Sequence, residues 1–363
     1  MLQDSIFKLL KELSESPGAS GYEVGVTKLV SAKLKPYVDR VRVDRFSNLI
    51  AKKAGGKGKE SVMLCAHMDE VGLIVKHVDD EGFLIFETLG GLDARVLPSQ
   101  RVQVITKDGP IAGVIGCKPP HLQTPKEMES VYKVEDLFID VGASGKREVE
   151  SWGIKPGCPV VLERSLEKIG KGSLVSGKAL DDRIGCAVMI KVAEEVSNEN
   201  FDYDIYFGGT VQEELGLRGA KVMAFGITPS FGLVVDSSAA GDAPGLSQKK
   251  APLKVGRGPG ITIMDSGFMV SEEVKELMIS AAEEHRIPYQ LNVVKGGTTD
   301  AAYIRLTKEG IPAGSIAVPV RYGHSSVEVA SLKDIVNSIK LTIAILKRID
   351  SEKLRTLNEP KPI

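Results

Sequence analysis

The segment SVMLCAHMDE, residues 61–70, decides the fold class of this 363-residue chain. Its first six residues are almost entirely apolar, which is typical of a central β-strand that is covered on both faces. The apolar run ends at His67, and Asp69 follows two residues later, so the two side chains can point to the same side. The segment predicts an α/β fold with polar chemistry at the end of a buried strand.

The hydrophobic periodicity on either side of this segment predicts two units. After about residue 165, helical and strand patterns alternate, with one helix marked by Ile184, Val188 and Val192. Residues 71–164 instead contain short β-like runs that are separated by Gly, Pro and charged turns. We therefore expect a discontinuous α/β domain, residues 1–70 and 165–363, with a small β domain, residues 71–164, inserted into it.

Three local patterns predict element boundaries. GGKGKE, residues 55–60, predicts a turn between two strands, and GGTTD, residues 296–300, predicts a turn that caps the next helix. A Ser331-x-x-Asp334 capping pattern predicts the start of the last long helix.

Composition and charge exclude several classes of partner. The 47 basic residues almost balance the 48 acidic ones, so no global field attracts nucleic acid or an anionic membrane. No stretch approaches the roughly 20 apolar residues of a membrane span. Four cysteines are scattered without a CxxC pair, which favours buried thiols in a reducing compartment: Cys65, Cys117, Cys158 and Cys186. We expect a cytoplasmic protein that binds neither nucleic acid nor membrane.

Potential metal ligands follow several of the predicted strands. Each has an ordinary alternative explanation, such as a hydrogen-bonded strand end, a helix cap or an exit from the sheet. However, the carboxyl ends of parallel strands meet at one edge, where α/β proteins bind their ligands. Of the adjacent carboxylates at 213 and 214, one can bind a metal while the other addresses bound water. The candidates are His67, Asp181, Glu213, Glu214, Asp236 and His324.

Five motifs make the chain recognisable. In order, AHMDEVG, KALDDRIG, VQEELGLRGA, GGTTDAAY and RYGHSS resemble the deblocking and glutamyl aminopeptidases that form hollow tetrahedral particles, the TET aminopeptidases. The resemblance covers nearly the whole chain, with no departure at the motif positions. It implies a three-layer, mixed-sheet peptidase domain, phosphorylase/hydrolase-like in fold, with an inserted barrel-like β domain. The implied activity is the release of N-terminal residues from short peptides.

The resemblance also implies the cofactors and the assembly. Two divalent ions, Zn or Co, would bind to each subunit. One ion would bind His67 and Asp236, the other Glu214 and His324, and the carboxylate of Asp181 would bridge them. The inserted domain would form dimers that assemble to a tetrahedral dodecamer.

The residue types agree with this implied site. Two imidazoles and three carboxylates suit Zn or Co, and the lack of a thiolate disfavours a closed structural zinc site. Glu213 could then take the proton of a bound water molecule and pass it to the leaving amine. Asp69 would orient His67.

Three other functions stay open on the residues alone. A two-metal phosphoesterase would use similar ligands, with Arg183, Arg218 and Arg321 available to clamp a phosphate. A glycoside hydrolase would pair Glu213 with a second carboxylate, but one Trp and 5% aromatic residues supply few stacking platforms, and the imidazoles would be idle. The β insertion could instead belong to a non-enzymatic peptide-binding or assembly module.

Overall fold

The computed structural model describes residues 2–56 and 59–359. The predicted turn at 55–60 therefore falls partly outside the described residues. The strands are, in chain order, β1 (Arg40–Val43), β2 (Leu49–Lys53), β3 (Ser61–His67), β4 (Gly72–Val78), β5 (Leu84–Leu89), β6 (Arg101–Thr106), β7 (Gly109–Gly116), β8 (Phe138–Asp140), β9 (Pro159–Leu162), β10 (Glu167–Ile169), β11 (Leu174–Gly177), β12 (Asp204–Thr210), β13 (Phe231–Ala239), β14 (Gly260–Met264), β15 (Gln290–Val293), β16 (Ala313–Val320) and β17 (Glu328–Ser331).

The α-helices lie outside the segment of β4 to β9, except for the short third and fourth helices. They are α1 (Leu2–Glu15), α2 (Val24–Leu34), α3 (Pro125–Glu129), α4 (Lys146–Ser151), α5 (Leu180–Glu195), α6 (Arg218–Ile227), α7 (Glu272–Glu284), α8 (Ala301–Arg305), α9 (Leu332–Arg348) and α10 (Ser351–Asn358). None of the described helices combines the length and the apolar character needed to cross a membrane.

The central sheet has the order β1-β2-β12-β3-β13-β16-β14-β15. Its middle strands, β12, β3, β13 and β16, are parallel to one another, whereas β2 and β14 run antiparallel to their neighbours β12 and β16. Every residue of β3 and of β16 is buried, as expected for strands covered on both faces. The sheet is mixed, as predicted.

Helices cover opposite faces of this sheet. A Cβ on Gly232 would meet Ile304 of α8, and a Cβ on Gly314, the register partner of Leu233, would meet Val274 and Met278 of α7. Because successive strand residues point to opposite faces, α7 and α8 lie on opposite sides of the sheet. The three-layer α/β fold class is thus confirmed.

The chain forms a closed barrel after β3 and before it returns to the central sheet at β12. Its six strands, in the order β4-β5-β8-β7-β6-β9, run from Gly72 to Leu162 and lie within the predicted insertion, residues 71–164. The barrel encloses a hydrophobic core of its own, which includes Phe86, Val104 and Ile139. The predicted barrel-like β unit is therefore present.

Two features differ from the sequence expectation. A small sheet, β10-β11-β17, pairs residues 174–177 with residues 328–331 in antiparallel register, and no local pattern indicated it. The last long helix begins after Ser331, whose side chain accepts a hydrogen bond from the backbone N–H of Lys333. However, the Asp334 carboxylate accepts from the N–H groups of Gly256 and Gly258 instead of completing a reciprocal capping box.

Candidate metal centre

His67 ends β3 and begins the cluster of polar side chains. Its ring is 2% exposed, and its Nε2 lies 3.1 Å from Oδ1 of Asp181 and 3.7 Å from Oδ1 of Asp236. Its Nδ1 lies 3.1 Å from the backbone carbonyl oxygen of Asp69, so this nitrogen acts as the donor. The Nε2 atom therefore faces two carboxylates that follow other segments of the fold.

His324 lies just beyond β16, on the opposite side of Asp181. Its Nε2 lies 3.2 Å from Oε1 of Glu214 and 3.5 Å from Oδ2 of Asp181. Its Nδ1 donates to the backbone carbonyl of Gly91, at 2.8 Å, and Gly91 belongs to the loop that follows β5 of the barrel. The inserted unit therefore orients one of the predicted ligands, because the carbonyl directs Nε2 toward the carboxylates.

Asp181 lies between the two imidazoles and offers one carboxylate oxygen to each. Its carboxylate forms a hydrogen bond with the His67 ring, between Oδ1 and Nε2. In its neighbour Asp182, Oδ1 accepts from the N–H of Gly185 at 2.9 Å. The helix cap at this position is thus formed by Asp182, while the Asp181 carboxylate faces both imidazoles.

The predicted ligands come together with two further carboxylates, the predicted proton carrier Glu213 and the unassigned Asp182. Donor atoms lie within 4.8 Å of one another in three groups, which are His67 with Asp182 and Asp236, His67 with Glu213 and Glu214, and Asp181 with Glu214 and His324. Asp182 is fully buried, and its Oδ2 atom has no hydrogen-bond partner. Sequence reasoning missed Asp182 because two adjacent aspartates before a helix do not indicate which one faces the site.

The Asp69 carboxylate lies closer to the backbone N–H groups of Glu213 and Glu214 than to the imidazole of His67. Its two oxygens accept from the backbone N–H groups of Glu213, at 3.0 Å, and Glu214, at 3.1 Å. Its Oδ1 lies 3.5 Å from Nδ1 of His67. Asp69 therefore holds the loop that carries both glutamates, in addition to lying beside His67.

Two further buried carboxylates support the cluster and were not expected there. Glu328 of β17 accepts from the N–H of Asp181 at 3.0 Å and from the N–H of His324 at 2.8 Å. Asp300 does not cap α8 with its side chain, and it accepts from the Thr210 hydroxyl at 2.6 Å instead. Burial raises the pKa of Glu328 to about 8 and that of Asp300 to about 6.

The concentration of buried carboxylates shifts the ionisation of the whole cluster. Burial raises the pKa values of Glu213 and Asp236 well above their usual range, and neighbouring carboxylates add to the shift. Burial would lower the pKa of His67, but the charges of Glu213 and the other acids around it raise it overall. Hydrogen bonds with Asp181 and Glu214 raise the pKa of His324 to about 12. The cluster therefore favours added positive charge.

The donor set fits divalent metal ions. Nitrogen and carboxylate oxygen atoms are ligands that Zn²⁺ and Co²⁺ accept, and multiple buried carboxylates require compensating cations. The buried thiols of Cys65 and Cys186 belong to none of the three donor groups. The five predicted ligands and Glu213 line a cavity of about 800 Å³, which gives a small substrate access to them.

The arginines that could have clamped a phosphate are engaged elsewhere. Arg183 is buried and donates to the backbone carbonyls of Leu13, Ser16 and Met68. Arg321 forms two hydrogen bonds with the Asp242 carboxylate, at 2.8 and 2.7 Å, and Arg218 donates to the side chain of Gln212. Within the described part of the chain, no arginine lines the cavity.

Comparison with known proteins decides the family. A sequence model of the M42 glutamyl aminopeptidases matches residues 47–341, which include every predicted ligand. The chain belongs to this family. It is an aminopeptidase, a hydrolase that acts on N-terminal residues, and the predicted resemblance is confirmed. Membership of this metallopeptidase family also implies that divalent metal ions bind to the M42 enzyme.

Individual relatives match this M42 aminopeptidase along almost all of their length. The aminopeptidase APDkam598 from Desulfurococcus kamchatkensis is 41% identical, with a TM-score of 0.94 and 99% coverage of both chains. The TET1 peptidase of Pyrococcus horikoshii, described as assembling into a tetrahedron or a large octahedral shell, is 34% identical, with a TM-score of 0.85 over 94% and 98% of the chains. The lysyl aminopeptidase of Pyrococcus furiosus is 35% identical over 94% of this chain and 97% of its own.

Proposed function

We propose that this aminopeptidase releases N-terminal residues from short peptides with the help of two divalent ions, zinc or cobalt. One ion would bind His67 and Asp236, and the other would bind Glu214 and His324. Asp181 would bridge them. The observation that carries this proposal is the position of the Asp181 carboxylate, whose two oxygens lie 3.1 Å from one imidazole and 3.5 Å from the other.

The metal ions and Glu213 would divide the chemistry between them. When bound, a pair of divalent ions supplies Lewis acidity and makes a water molecule acidic at neutral pH. Glu213 is 8% exposed and adjoins the proposed ligand Glu214, but it takes no part in the proposed coordination. Its carboxylate would accept the proton of the attacking water and deliver it to the nitrogen of the leaving amine.

The proposed centre suits an exopeptidase. The free amino group of a peptide could bind the metal pair through its nitrogen or donate hydrogen bonds to carboxylates around the pair, such as the buried Asp182. An internal peptide bond brings no such amine to the site. We infer that recognition of the free amine selects the first residue of a peptide.

The site chemistry argues against both rival enzymes. A phosphoesterase needs cations for the phosphate group, and the three candidate arginines are bound to other partners. A glycoside hydrolase works with two carboxylates and would have no use for imidazoles between them. Here both imidazoles face carboxylates.

We also propose an assembly in which barrels from two subunits form a dimer and the dimers build a dodecamer. One support is the similarity to the TET1 peptidase of Pyrococcus horikoshii. The other is the six-stranded barrel, which has a hydrophobic core of its own and would correspond to an insertion at residues 71–164 in a peptidase domain of residues 1–70 and 165–363. Light scattering should give twelve times the chain mass of 39.0 kDa. A monomeric protein that degrades folded proteins would contradict the assembly. We place this assembly in the cytoplasm.

Chelation tests the dependence on metal. The protein would be stripped with a chelator, dialysed and titrated calorimetrically with Zn²⁺ or Co²⁺, while hydrolysis of a leucyl anilide is followed in parallel. We expect two binding events per subunit and activity that returns with them. Full activity in the stripped protein would contradict the proposal.

A further inference from the structure

One part of the cavity lining, here called the far wall, is formed by Asp265, Asn292, Thr298 and Thr299. Among the described residues, Oδ2 of Asp265, Oδ1 of Asn292 and the hydroxyl oxygens of Thr298 and Thr299 are buried without a hydrogen bond. All four side chains line the cavity that contains the proposed metal ligands. Asp265 is only 7% exposed and Asn292 only 2%. Unsatisfied buried polar atoms are costly, so such a concentration indicates a site for a polar ligand.

The Asp265 carboxylate is held rigidly with one oxygen left over. Its Oδ1 atom accepts from the backbone N–H groups of Gly267, at 2.8 Å, and Phe268, at 2.7 Å. The turn that these bonds form packs closely against the next loop, because a Cβ on Gly267 would lie 2.5 Å from the Thr298 hydroxyl. The orientation of Asp265 is therefore set by the fold. Burial raises the pKa of the Asp265 carboxyl overall, although the Thr298 hydroxyl and the Thr299 backbone lie close enough to lower that pKa, and Oδ2 makes no complete hydrogen bond with either. A cationic ligand group at Oδ2 would hold the carboxylate in its charged form.

The second acceptor lies on the neighbouring strand. Asn292 of β15 pairs in register with Thr262 of β14, the strand that leads into Asp265. Its side-chain nitrogen lies 3.3 Å from the Ser238 hydroxyl and 3.4 Å from that of Thr262, which leaves its oxygen free. Two free acceptors, one of them a carboxylate, favour a ligand group with several N–H donors and a positive charge.

Other charges along the cavity do not outweigh Asp265. Lys250 also lines the cavity, but its side chain is exposed, so water screens its charge. Asp93 lines the cavity as well, but it is exposed and paired with Arg95. A charge that is more than nine-tenths buried acts more strongly on a nearby ligand than an exposed charge does. The balance on the far wall is negative.

We propose that Asp265 selects the side chain of the substrate's first residue and that the enzyme prefers N-terminal lysine and arginine. This inference rests on the proposed function, since it assumes that the first residue is hydrolysed at the metal centre. Names in the family do not decide the point, because the family is called glutamyl and one close relative is called lysyl. The preference is argued here from the chain's own unpartnered acceptors.

Steady-state kinetics of the metal-loaded enzyme with four aminoacyl anilides tests the proposal. Lysyl and arginyl substrates should have values of kcat/KM roughly 10- to 100-fold above that of the leucyl substrate, the range expected for a charge-assisted hydrogen bond. The glutamyl substrate should be the poorest. If leucyl or glutamyl substrates are the best, the proposal is wrong.

Asp265→Asn tests the residue itself. Asparagine keeps an oxygen that can accept from Gly267 and Phe268, so the turn is preserved while the charge is lost. The kcat/KM values for the lysyl and arginyl substrates should fall roughly 10- to 100-fold, to about the level of the leucyl substrate, whereas kcat/KM for the leucyl substrate should change less than about threefold. An equal fall for all substrates would show a merely structural role and overturn the proposal.

Asp140→Asn is the matched control. Asp140 also caps a turn, through the N–H of Gly142 at 2.7 Å, but it lies on the surface of the barrel. This variant should retain the substrate preference. If metal-loaded wild-type enzyme hydrolyses none of the anilides, the proposed function itself fails; if it hydrolyses the leucyl anilide without a basic preference, only the present inference fails.

Discussion

The metal centre and the far wall use polar groups differently. At the metal centre, the carboxylates of Asp69, Asp181 and Glu214 each face an imidazole or a backbone N–H group, although Oδ2 of the neighbouring Asp182 has no partner. At the far wall, Oδ2 of Asp265 and Oδ1 of Asn292 make no complete hydrogen bond. The comparison teaches that groups needed in every catalytic cycle are positioned by the protein itself. Groups that recognise a variable side chain keep unused hydrogen-bonding capacity for the substrate.

The largest expected effect concerns Glu213, the proposed proton carrier at the metal centre. Glu213→Gln keeps the size of the side chain but removes the base, so kcat should fall by about 10²- to 10⁴-fold. Both metal ions should stay bound, as measured by calorimetry. The result would contradict this role if Glu213→Gln lost a metal ion while the turnover per bound metal stayed near that of the wild type. Glu213 would then be a metal ligand.

A smaller effect is expected at Asp69, which holds the loop of the two glutamates. In Asp69→Asn, the amide group cannot accept from both the Glu213 and the Glu214 N–H groups, so the loop should shift. Metal affinity should fall by roughly 10- to 100-fold, as is typical when a group supporting a ligand is changed.

A matched variant controls for this change at Asp69. Asp79→Asn alters a turn-forming aspartate of the barrel, which accepts from the N–H of Phe83, and should leave metal affinity unchanged. Unaltered metal binding in Asp69→Asn would contradict the supporting role.

The smallest effect is expected where the barrel meets the metal centre. A Cβ at Gly91 would lie 3.1 Å from Nδ1 of His324, so Gly91→Ala should displace the ring by a few tenths of an ångström. We expect a few-fold weaker affinity at one of two metal sites, below the range for Asp69→Asn.

Gly172→Ala is the control for this position, because a Cβ there meets nothing within 4 Å. Calorimetry of both variants separates the specific contact from a general effect of alanine. Equal affinities in the two proteins would show that the barrel contact does not position His324.

Local sequence patterns predicted the parts of the site that lie at strand ends. The apolar runs before His67, Asp236 and His324 are buried strands of the central sheet, as their composition predicted. Parallel strands bring their ends together, so the convergence of these residues followed from the fold class. The β-rich insertion was predicted by its turns and short β-like runs, whereas its barrel-like form was implied by the family resemblance.

The parts that the sequence did not reveal depend on contacts between distant segments. Glu328 reaches Asp181 because β17 pairs with β11, about 150 residues earlier, and short strands of this kind carry little periodic signal. Gly91 contributes only a backbone carbonyl to His324. Asp300 occupies a position that is typical of a helix cap, and only the packing of Thr210 directs its carboxylate elsewhere.

The bridging carboxylate of Asp181 offers the most direct test of the metal centre. Calorimetric titration of metal-free Asp181→Ala with Zn²⁺, compared with wild type, measures how many ions each subunit binds. We predict two ions in the wild type, and in the variant at least one ion should be lost together with the activity. Two ions bound to Asp181→Ala with wild-type affinity would contradict the proposal that this residue joins both halves of the site.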